Sequence, residues 1–493
     1  MKGSSPFAWM VNGTATALSC VPECGMTDLV EATAKELDRG ARLCAWFGVA
    51  EGPKTRVVAV LAYDADGVLG VAWSSPFRGA YPCLTVRHPQ AHLFERELWE
   101  QFGVEPAGHP WLKSVRRMGP GAPLQGTFFQ VEGAEVHEVG VGPVHAGIIE
   151  PGHFRFQCFG EEVLHLEIAL GYQYRGVEEA QVGGPHGRTL WQMETVAGDT
   201  TVGHATAYAM VREALSGVEA PLRAQWLRAV ALELERLANH TGDLGALAGD
   251  VAFLPTAAAC GRLRGEFLNL TALICGNRFG RGLVRPGGCR WDLEPERSAA
   301  LRKKLAGVLE EVAEVVGWLW EANSVRARFQ GTGRLELTQA RSLGLVGVAA
   351  RASGLVRDVR FDHPAGWYRF AQLPVAVWPD GDVYGRAKIR DLEIQRSGAL
   401  LLQQLEAGPE GELKTEVGPP GPDAVAVALV EGWRGEICHV AVTGPDGRFR
   451  RYKIVDPSFH NWTGLAMAMR GQAISDFPLC NKSFNLSYCG FDL

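Results

Sequence analysis

The hydrophobic pattern changes its period along this chain of 493 residues, and that change limits the folds open to it. Three runs rich in β-branched and aromatic residues, separated by the turn sequences EGPK and DADG, predict strands at residues 46–49, 56–63 and 68–73. From about residue 160, apolar residues recur every three or four positions, as is typical of helices. We therefore expect an α+β N-terminal domain followed by a larger, mainly α-helical domain with some β-strands.

The domain boundary is predicted from glycine and proline. Residues 118–142 are rich in both and have no helical period, so we expect a domain over 1–120, a linker over 121–141 and a large domain over 142–493. One helix is predicted in the first domain, at residues 89–102. The pattern predicts the following elements in the second: helices at 161–172, 204–215, 220–240 (ended by Gly242), 255–278, 295–323, 335–357 and 385–407, and strands at 424–430, 436–443 and 449–454.

Composition excludes several classes of protein. A net charge of −6 argues against a nucleic-acid partner, which usually meets a basic surface. No uncharged apolar stretch is long enough to span a bilayer, and the first residues do not resemble a signal peptide. We therefore expect a cytoplasmic chain whose 11 cysteines are mostly thiols. No GxGxxG sequence follows a strand, so no dinucleotide site is predicted.

The segment GPVHAGIIEPGHFRF (residues 142–156) places three titratable residues in a glycine-punctuated loop. These are His145, Glu150 and His153. Because Glu150 lies among isoleucines and a proline, its carboxyl is a candidate proton relay. The alternative is an exposed glutamate in a capped loop.

A second polar group recurs at helical spacing. Glu233, Arg236 and His240 lie beside an apolar stripe. They form either a solvated face with an ion pair or a buried polar network against a neighbouring helix.

Several longer motifs carry a family resemblance. The loop and the following GEEVLHLEIALGYQYRGVEEA resemble large subunits of membrane-bound [NiFe] hydrogenases of the formate-hydrogenlyase and energy-converting type, and the homologous large subunit of respiratory complex I. The similarity continues in LELERLANHTGDLGALAGDVAF, GNRFGRGLVRPGG, GDVYGRAKIRDLEIQRS, EGWRGE and DPSFHNW. HPQAHLFERELWEQFGVEPAGHP (88–110) is similar to the small partner subunit of complex I, and its ERELWEQFG run is expected to be an interface helix. The order is that of a fused subunit.

The resemblance also shows what is missing. In the hydrogenases two CxxC pairs hold the Ni–Fe centre, and four thiolates suit those metals. Here the resemblance places Ala197, Thr200, Ser487 and Gly490 at the four cysteine positions, with Cys489 one residue out of register. We expect no metal site in this chain, and a conventional hydrogenase is nearly excluded. His204 stays in register with a family histidine.

The resemblance implies a subunit of a membrane-associated redox complex at the cytoplasmic face. Its implied partners are an iron–sulfur small subunit with a [4Fe–4S] cluster and membrane antiporter-like subunits, and this chain itself would bind no cofactor. The loop has the hydrogenase form, with Glu150 near the position of the quinone-contacting histidine of complex I, which does not favour quinone binding. Candidate residues for a proton relay or cavity are Glu150, His145, His153 and His204. The alternative is a non-catalytic scaffold that docks the same partners.

Overall fold

The N-terminal part of the computed structural model is a sheet flanked by two helices. The structure describes residues 6–116, 128–145 and 149–493. The elements of this part are β1 Ala8–Met10, β2 Thr14–Ala17, β3 Glu23–Cys24, α1 Met26–Asp38, β4 Arg42–Glu51, β5 Lys54–Tyr63, β6 Val68–Ser74, β7 Ala80–Pro82, α2 His92–Phe102 and β8 Glu105–Ala107. The main sheet has the order β1-β6-β5-β4, and β3 pairs with β6. The three predicted strands are confirmed as β4, β5 and β6.

The next unit is a three-stranded antiparallel sheet, where one prediction is wrong. Its strands are β9 Val136–Val141, β10 His153–Phe159 and β11 Glu162–Ala169, so residues 161–172 are not a helix. Gln157 pairs with His165 and Cys158 with Val163, which leaves an extra residue in β11 as a bulge. Because a bulge adds one residue to the two-residue period of a strand, Val163 and Leu166 are both buried at a helix-like spacing. β9 also occupies the end of the predicted linker, and the proposed domain division stays a prediction.

Helices dominate the large domain, and the longest one runs past its predicted end. α5 continues through Gly242 to Asp250. A Cβ at Gly242 would lie 2.6 Å from the Cδ atom of Arg264 on α6, so this glycine allows close helix packing and does not end the helix. The elements are α3 Thr189–Met193, α4 Thr201–Ser216, α5 Leu222–Asp250, α6 Leu254–Cys275, β12 Val284–Arg285, β13 Gly288–Cys289, α7 Pro295–Glu321, α8 Asn323–Phe329, α9 Leu337–Ser342, α10 Gly347–Ala352, α11 Val359–Asp362 and α12 Val383–Gln404.

The single helix predicted over 335–357 is also wrong, because two glycines interrupt it. Gly344 has φ +67° and Gly347 has φ +62°, values that side-chain-bearing residues rarely adopt. At Gly347 a Cβ would lie 2.0 Å from the carbonyl oxygen of Arg434. The chain therefore forms two short helices, α9 and α10, and brings its backbone against the EGWRGE loop.

The C-terminal part holds a second antiparallel sheet, whose three predicted strands are confirmed. Its order is β16-β15-β14-β2, so the N-terminal strand β2 completes a sheet formed by the end of the chain. The side chain of Asn12 fixes this pairing, since its amide donates to the carbonyl oxygen of Leu429 at 3.0 Å and accepts from the N–H of Leu429 at 2.7 Å. The remaining elements are β14 Ala424–Glu431, β15 Glu436–Thr443, β16 Phe449–Val455, α13 Pro457–Ala468, α14 Phe477–Phe484 and α15 Tyr488–Phe491.

The predicted interface helix packs on the large domain. α2 places Glu97 within 2.7 Å of the Lys453 ammonium, and the Phe94 ring lies 4.9 Å from that of Phe459. Arg116, after α2, donates to the carbonyl oxygen of Phe491 at 2.8 Å. The helix therefore joins the two parts of one chain. Within the described ranges, no helix combines the length and the hydropathy needed to cross a membrane.

Candidate functional site

The glycine-punctuated loop lies against the C-terminal segment 487–490, where the resemblance predicts the second pair of cysteine positions. The backbone N–H of Tyr488 points toward a carboxylate oxygen of Glu150 at 3.4 Å. Burial, and then the charge of Glu150, raise the pKa of the Cys489 thiol to about 11, so this cysteine is neutral at pH 7. Glu150 is half-buried. Glu150 therefore borders the segment 487–490, and its role as a proton relay stays a prediction.

The two loop histidines have different surroundings. His153 Nδ1 lies 3.1 Å from the carbonyl oxygen of Gly142, and its ring lies 5.8 Å from that of Phe128. His145 has its ring 6.2 Å from that of Phe154, and its Nε2 atom is buried with no hydrogen-bond partner among the described residues. Both histidines thus pack at the base of the loop, whereas Glu150 reaches the C-terminal segment.

Arg175 links the two segments that carry the replaced cysteine positions. Its guanidinium donates to the carbonyl oxygens of Thr195 and Val196 at 2.7 and 2.9 Å, just before Ala197. It also donates to the carbonyl oxygen of Cys489 at 3.0 Å. A cation with several fixed donors can thereby hold both backbone segments together.

A second link passes through the EGWRGE loop. Arg434 forms a bidentate ion pair with Asp199, and its Nη1 atom lies 3.3 Å from the Thr200 hydroxyl. The same guanidinium donates to the carbonyl oxygen of Asn485 at 2.5 Å. The indole N–H of Trp433 lies 3.1 Å from the Thr200 hydroxyl. Thr200, at a position where the resemblance predicts a metal ligand in the family, therefore acts as a hydrogen-bonding residue.

His204 belongs to a buried row of titratable side chains. Its Nε2 lies 3.1 Å from an Asp456 carboxylate oxygen, and its Nδ1 lies 3.1 Å from Nε2 of His439. His439 Nδ1 lies 2.9 Å from the Tyr452 hydroxyl. Burial, and then the neighbouring His204, keep the pKa of His439 well below its ordinary value, so this ring is neutral.

The chemistry of the row gives its first hydrogen bond a direction. A carboxylate only accepts, so His204 donates from Nε2 to Asp456. A Cβ at Gly490 would lie 2.7 Å from the Asp456 carboxyl carbon, so the row begins at a replaced cysteine position.

The residues at the cysteine positions do not fit a Ni–Fe centre. Ala197 and Gly490 have no donor atom, and the Ser487 hydroxyl accepts from the N–H of Gly490 at 2.9 Å. Hydroxyls are poor ligands for soft metals. In the ranges that the structure describes, no group of three or more His, Cys, Asp or Glu side chains is placed to hold a metal ion.

The polar residues of α5 form a buried ionic cluster, so the prediction of a buried network is confirmed. His240 Nε2 lies 2.7 Å from the carboxylate of Glu393, and Arg236 lies 3.3 Å from Glu233 and 3.4 Å from Glu393. The cluster extends to other elements. Its members are Glu233, Arg236 and His240 of α5, Arg351 of α10, Asp358 and Arg360 at α11, Glu393 of α12 and Glu431 of β14.

Three polar residues of the site escape sequence reasoning. His439 lies in a buried strand, and this one polar ring in the run EICHVAVT was the available signal. Arg175 and Asp199 contact residues that are distant in sequence, namely Cys489 and Arg434, and their local sequence pattern does not predict these contacts.

Two family models match the chain. The Respiratory-chain NADH dehydrogenase, 30 Kd subunit, matches residues 20–127, and the Respiratory-chain NADH dehydrogenase, 49 Kd subunit, matches residues 250–420. Both descriptions agree with the fused order read from the motifs.

Curated relatives extend the similarity over most of the chain. Formate hydrogenlyase subunit 5 of Escherichia coli (strain K12) is 29% identical over 432 residues, which cover 83% of this chain and 76% of that protein. Carbon monoxide-induced hydrogenase of Rhodospirillum rubrum is 31% identical over 350 residues, which cover 71% of this chain and 97% of that protein. An NADH-quinone oxidoreductase subunit of Herpetosiphon aurantiacus is 28% identical, with 71% and 96% covered.

Proposed function

The chain belongs to the family shared by hydrogenase subunits of the formate hydrogenlyase type and the homologous subunits of NADH-quinone oxidoreductase, and we propose that it couples electron transfer to proton or ion movement in a complex of that kind. In this proposal the electron comes from an iron–sulfur small subunit with a [4Fe–4S] cluster. Membrane antiporter-like subunits carry the ion. The chain itself is peripheral, at the cytoplasmic face, and works without a Ni–Fe centre.

The proposal rests on the residues at the four positions that the resemblance assigns to cysteines, none of which is a cysteine here. Ala197, Thr200, Ser487 and Gly490 offer no thiolate, yet the segments around them are held together by Arg175 and Arg434. A family member in which these segments are held together without thiolate ligands is suited to sense charge at that place. It is not suited to bind hydrogen on a metal.

Proton transfer is assigned to the titratable groups around those segments. Glu150 contacts this C-terminal segment from the loop that also carries His145 and His153. Asp456, which bonds to His204, lies against Gly490 of the same segment. A carboxylate next to a charge that arrives on a neighbouring subunit changes its proton affinity, since charges act strongly in a poorly screened site. Glu150 would take up the proton, and the row that begins at Asp456 would respond to the same field.

The alternative is a scaffold that docks iron–sulfur and membrane partners without taking part in coupling. The chain's internal links, such as α2 on β16, suit that role equally well. Quinone binding is not part of the proposal, because Glu150 stands near the position that the complex I family gives to a quinone-contacting histidine.

The experiment compares Glu150→Gln with Glu161→Gln, a control in the exposed turn between β10 and β11. In the isolated complex we expect Glu150→Gln to keep assembly and iron content and to lower coupled turnover by at least about tenfold, as for loss of one acid–base group. Glu150→Asp should be milder. The scaffold alternative predicts wild-type turnover for all three variants, and that result would remove Glu150 from the mechanism.

A further inference from the structure

A cavity of about 450 Å³ lies away from the loop and the replaced cysteine positions. It is lined by residues 11–15, by α4 and α5, and by residues 359–369 and 429–431. Much of the lining is apolar, with Met210, Ala214 and Leu232 among its residues. Three other lining residues, Arg360, Tyr368 and Glu431, connect it to the buried ionic cluster. Glu219 and Arg369, an exposed ion pair, line it as well.

The ionic cluster contains more acids than bases. Its carboxylates belong to Glu233, Asp358, Glu393 and Glu431, and its guanidiniums belong to Arg236, Arg351 and Arg360. Four negative and three positive charges leave one negative charge uncompensated while His240 is neutral. All eight side chains are at least nine-tenths buried, where an uncompensated charge is costly. The cluster is therefore balanced by one additional proton.

Glu431 is the carboxylate with the fewest cationic partners. It pairs with Arg351 alone, at 2.7 Å, and its other oxygen accepts from the N–H of Val359 at 3.1 Å. Glu393, by contrast, contacts Arg236, Arg351 and His240. The charges facing Glu431 are Arg351 from α10, Asp358 and Arg360 from α11, and Arg236 from α5. Burial raises the pKa of Glu431 to about 7, although Arg351 opposes the shift.

We propose that Glu431 is a proton-binding site that exchanges its proton with bulk water through this cavity. On uptake, a carboxylate oxygen of Glu431 forms an O–H bond with a proton from a hydronium ion, which becomes water, and release reverses the step. The cluster then passes between a net charge of −1 and 0. Of the four carboxylates, Glu431 has the fewest cationic partners, and it also lines the cavity.

Glu431 is connected through its own loop to the segment around Asp199 and Thr200. It is the first residue of the EGWRGE loop, and its carbonyl oxygen accepts from Arg236 at 2.7 Å. Trp433 and Arg434 of the same loop contact Thr200 and Asp199. Protonation of Glu431 therefore changes the charge at the start of the EGWRGE loop (431–436), which contacts the segment 199–200. This link rests on the proposed coupling function, whereas the protonation itself does not.

The first test is infrared difference spectroscopy of the purified complex between acidic and alkaline pH. We expect a protonated-carboxyl carbonyl band that titrates near neutral pH and is lost in Glu431→Gln. Glu219→Gln, at an exposed cavity-lining glutamate, should keep the band. A spectrum in which Glu431→Gln retains the whole band would overturn the assignment, whatever the variant's turnover.

The second test concerns the route. Ala214→Trp should fill the cavity and slow the shift of this band after mixing with deuterated water, while leaving its titration in place. Ala299→Trp, in a different surface groove lined by α7, is the matched control and should exchange as fast as the wild type. Equal exchange rates in both variants would reject the cavity as the route. Loss of turnover in Glu150→Gln is measured separately, so the two proposals can fail independently.

Discussion

The guanidinium of Arg434 and the carboxylate of Asp199 form a bidentate ion pair, with N–O distances of 2.6 and 2.8 Å. The two residues are far apart in sequence, and their pairing fixes the EGWRGE loop on the segment just before α4. Burial opposes ionisation of Asp199, but Arg434 outweighs it and lowers the pKa of this carboxyl. The pair also meets the C-terminal segment, since Arg434 donates to Asn485.

Removal of this link should destabilise the whole site. We expect Arg434→Met to lower the free energy of unfolding by about 1–3 kcal/mol, since it removes the guanidinium that donates to the Asp199 carboxylate and to the carbonyl oxygen of Asn485. The value stays modest because the Asp199 side chain is 34% exposed. Urea denaturation gives the measurement. Arg448→Met, which removes an arginine from an exposed surface pair, is the control and should change stability by less than about 0.5 kcal/mol.

Metal content is the second prediction. The isolated complex should contain iron and no stoichiometric nickel, and it should take up no hydrogen with viologen dyes. The reason is the loss of thiolates at Ala197, Thr200, Ser487 and Gly490. Elemental analysis measures both metals in the same sample, so the iron content serves as the reference for the nickel content. Nickel in stoichiometric amount, retained after gel filtration with a chelator, would show that another set of ligands has taken over.

The site could be predicted only where its function follows from local sequence. The four positions assigned to the family's cysteines, and His204, could be singled out because they stand in or near long motifs; their roles stay predictions. The row from His204 to Tyr452 could not be singled out, because it joins α4, β15 and β16 through side chains distant in sequence. Likewise, Glu233, Arg236 and His240 could be placed on one helix face, but their partners Arg351 and Glu431 come from other elements.

The fold shows the same limit. Long helices and the last three strands follow from hydrophobic period alone. Two errors have local causes that depend on packing: the bulge in β11 imitates a helical spacing, and Gly242 lies in a helix because Arg264 needs the space above it. The pairing of β2 with β14 could not be predicted either, since strand pairing across the chain is a tertiary property.

The third prediction concerns the attachment of α2. Glu97 is fully buried between Lys453 and Arg116, and Lys453 also contacts Glu178 at 2.9 Å. We expect Glu97→Ala to lower the free energy of unfolding by about 3–5 kcal/mol, because two buried cations lose their shared partner. Glu105→Ala, at an exposed residue of β8, should have little effect in the same urea titration. Equal stability of both variants would mean that α2 is not held by this contact.

The free energy of unfolding at acidic pH should also depend on Glu97. Burial works against the charged form of Glu97, yet Lys453 and Arg116 dominate and lower its pKa to about 2. Because the folded pKa lies below the unfolded value of about 4.3, Glu97 contributes stability above that pH. This contribution should be lost as the pH falls from about 4 to 2. In Glu97→Gln that part of the profile should be flatter than in the wild type, as measured by thermal unfolding at each pH.

The last prediction concerns Glu235 of α5, whose carboxylate bonds to the first turn of α4. Its carboxylate accepts from the N–H groups of Val202 and Gly203 at 2.7 and 3.2 Å, yet burial outweighs these bonds and raises its pKa to about 8. A folded pKa above the unfolded value of about 4.3 means that folding takes up a proton between these two values. Stability from this group is therefore complete below about pH 4 and decreases as the pH rises to about 8, by at most about 1.4 kcal/mol per pH unit.

Glu235→Gln isolates that contribution. Glutamine keeps the shape and one acceptor oxygen but does not titrate, so the difference in unfolding free energy between the variant and the wild type should shift in favour of the variant as the pH rises from about 5 to 8. Other titrating groups, Glu431 among them, cancel in this difference because both proteins contain them. Glu219→Gln, at an exposed glutamate, should show a constant difference over the same range. A constant difference for Glu235→Gln as well would mean that Glu235 is already ionised at the acidic end of this range in the folded chain, and that its two backbone hydrogen bonds outweigh the cost of burial.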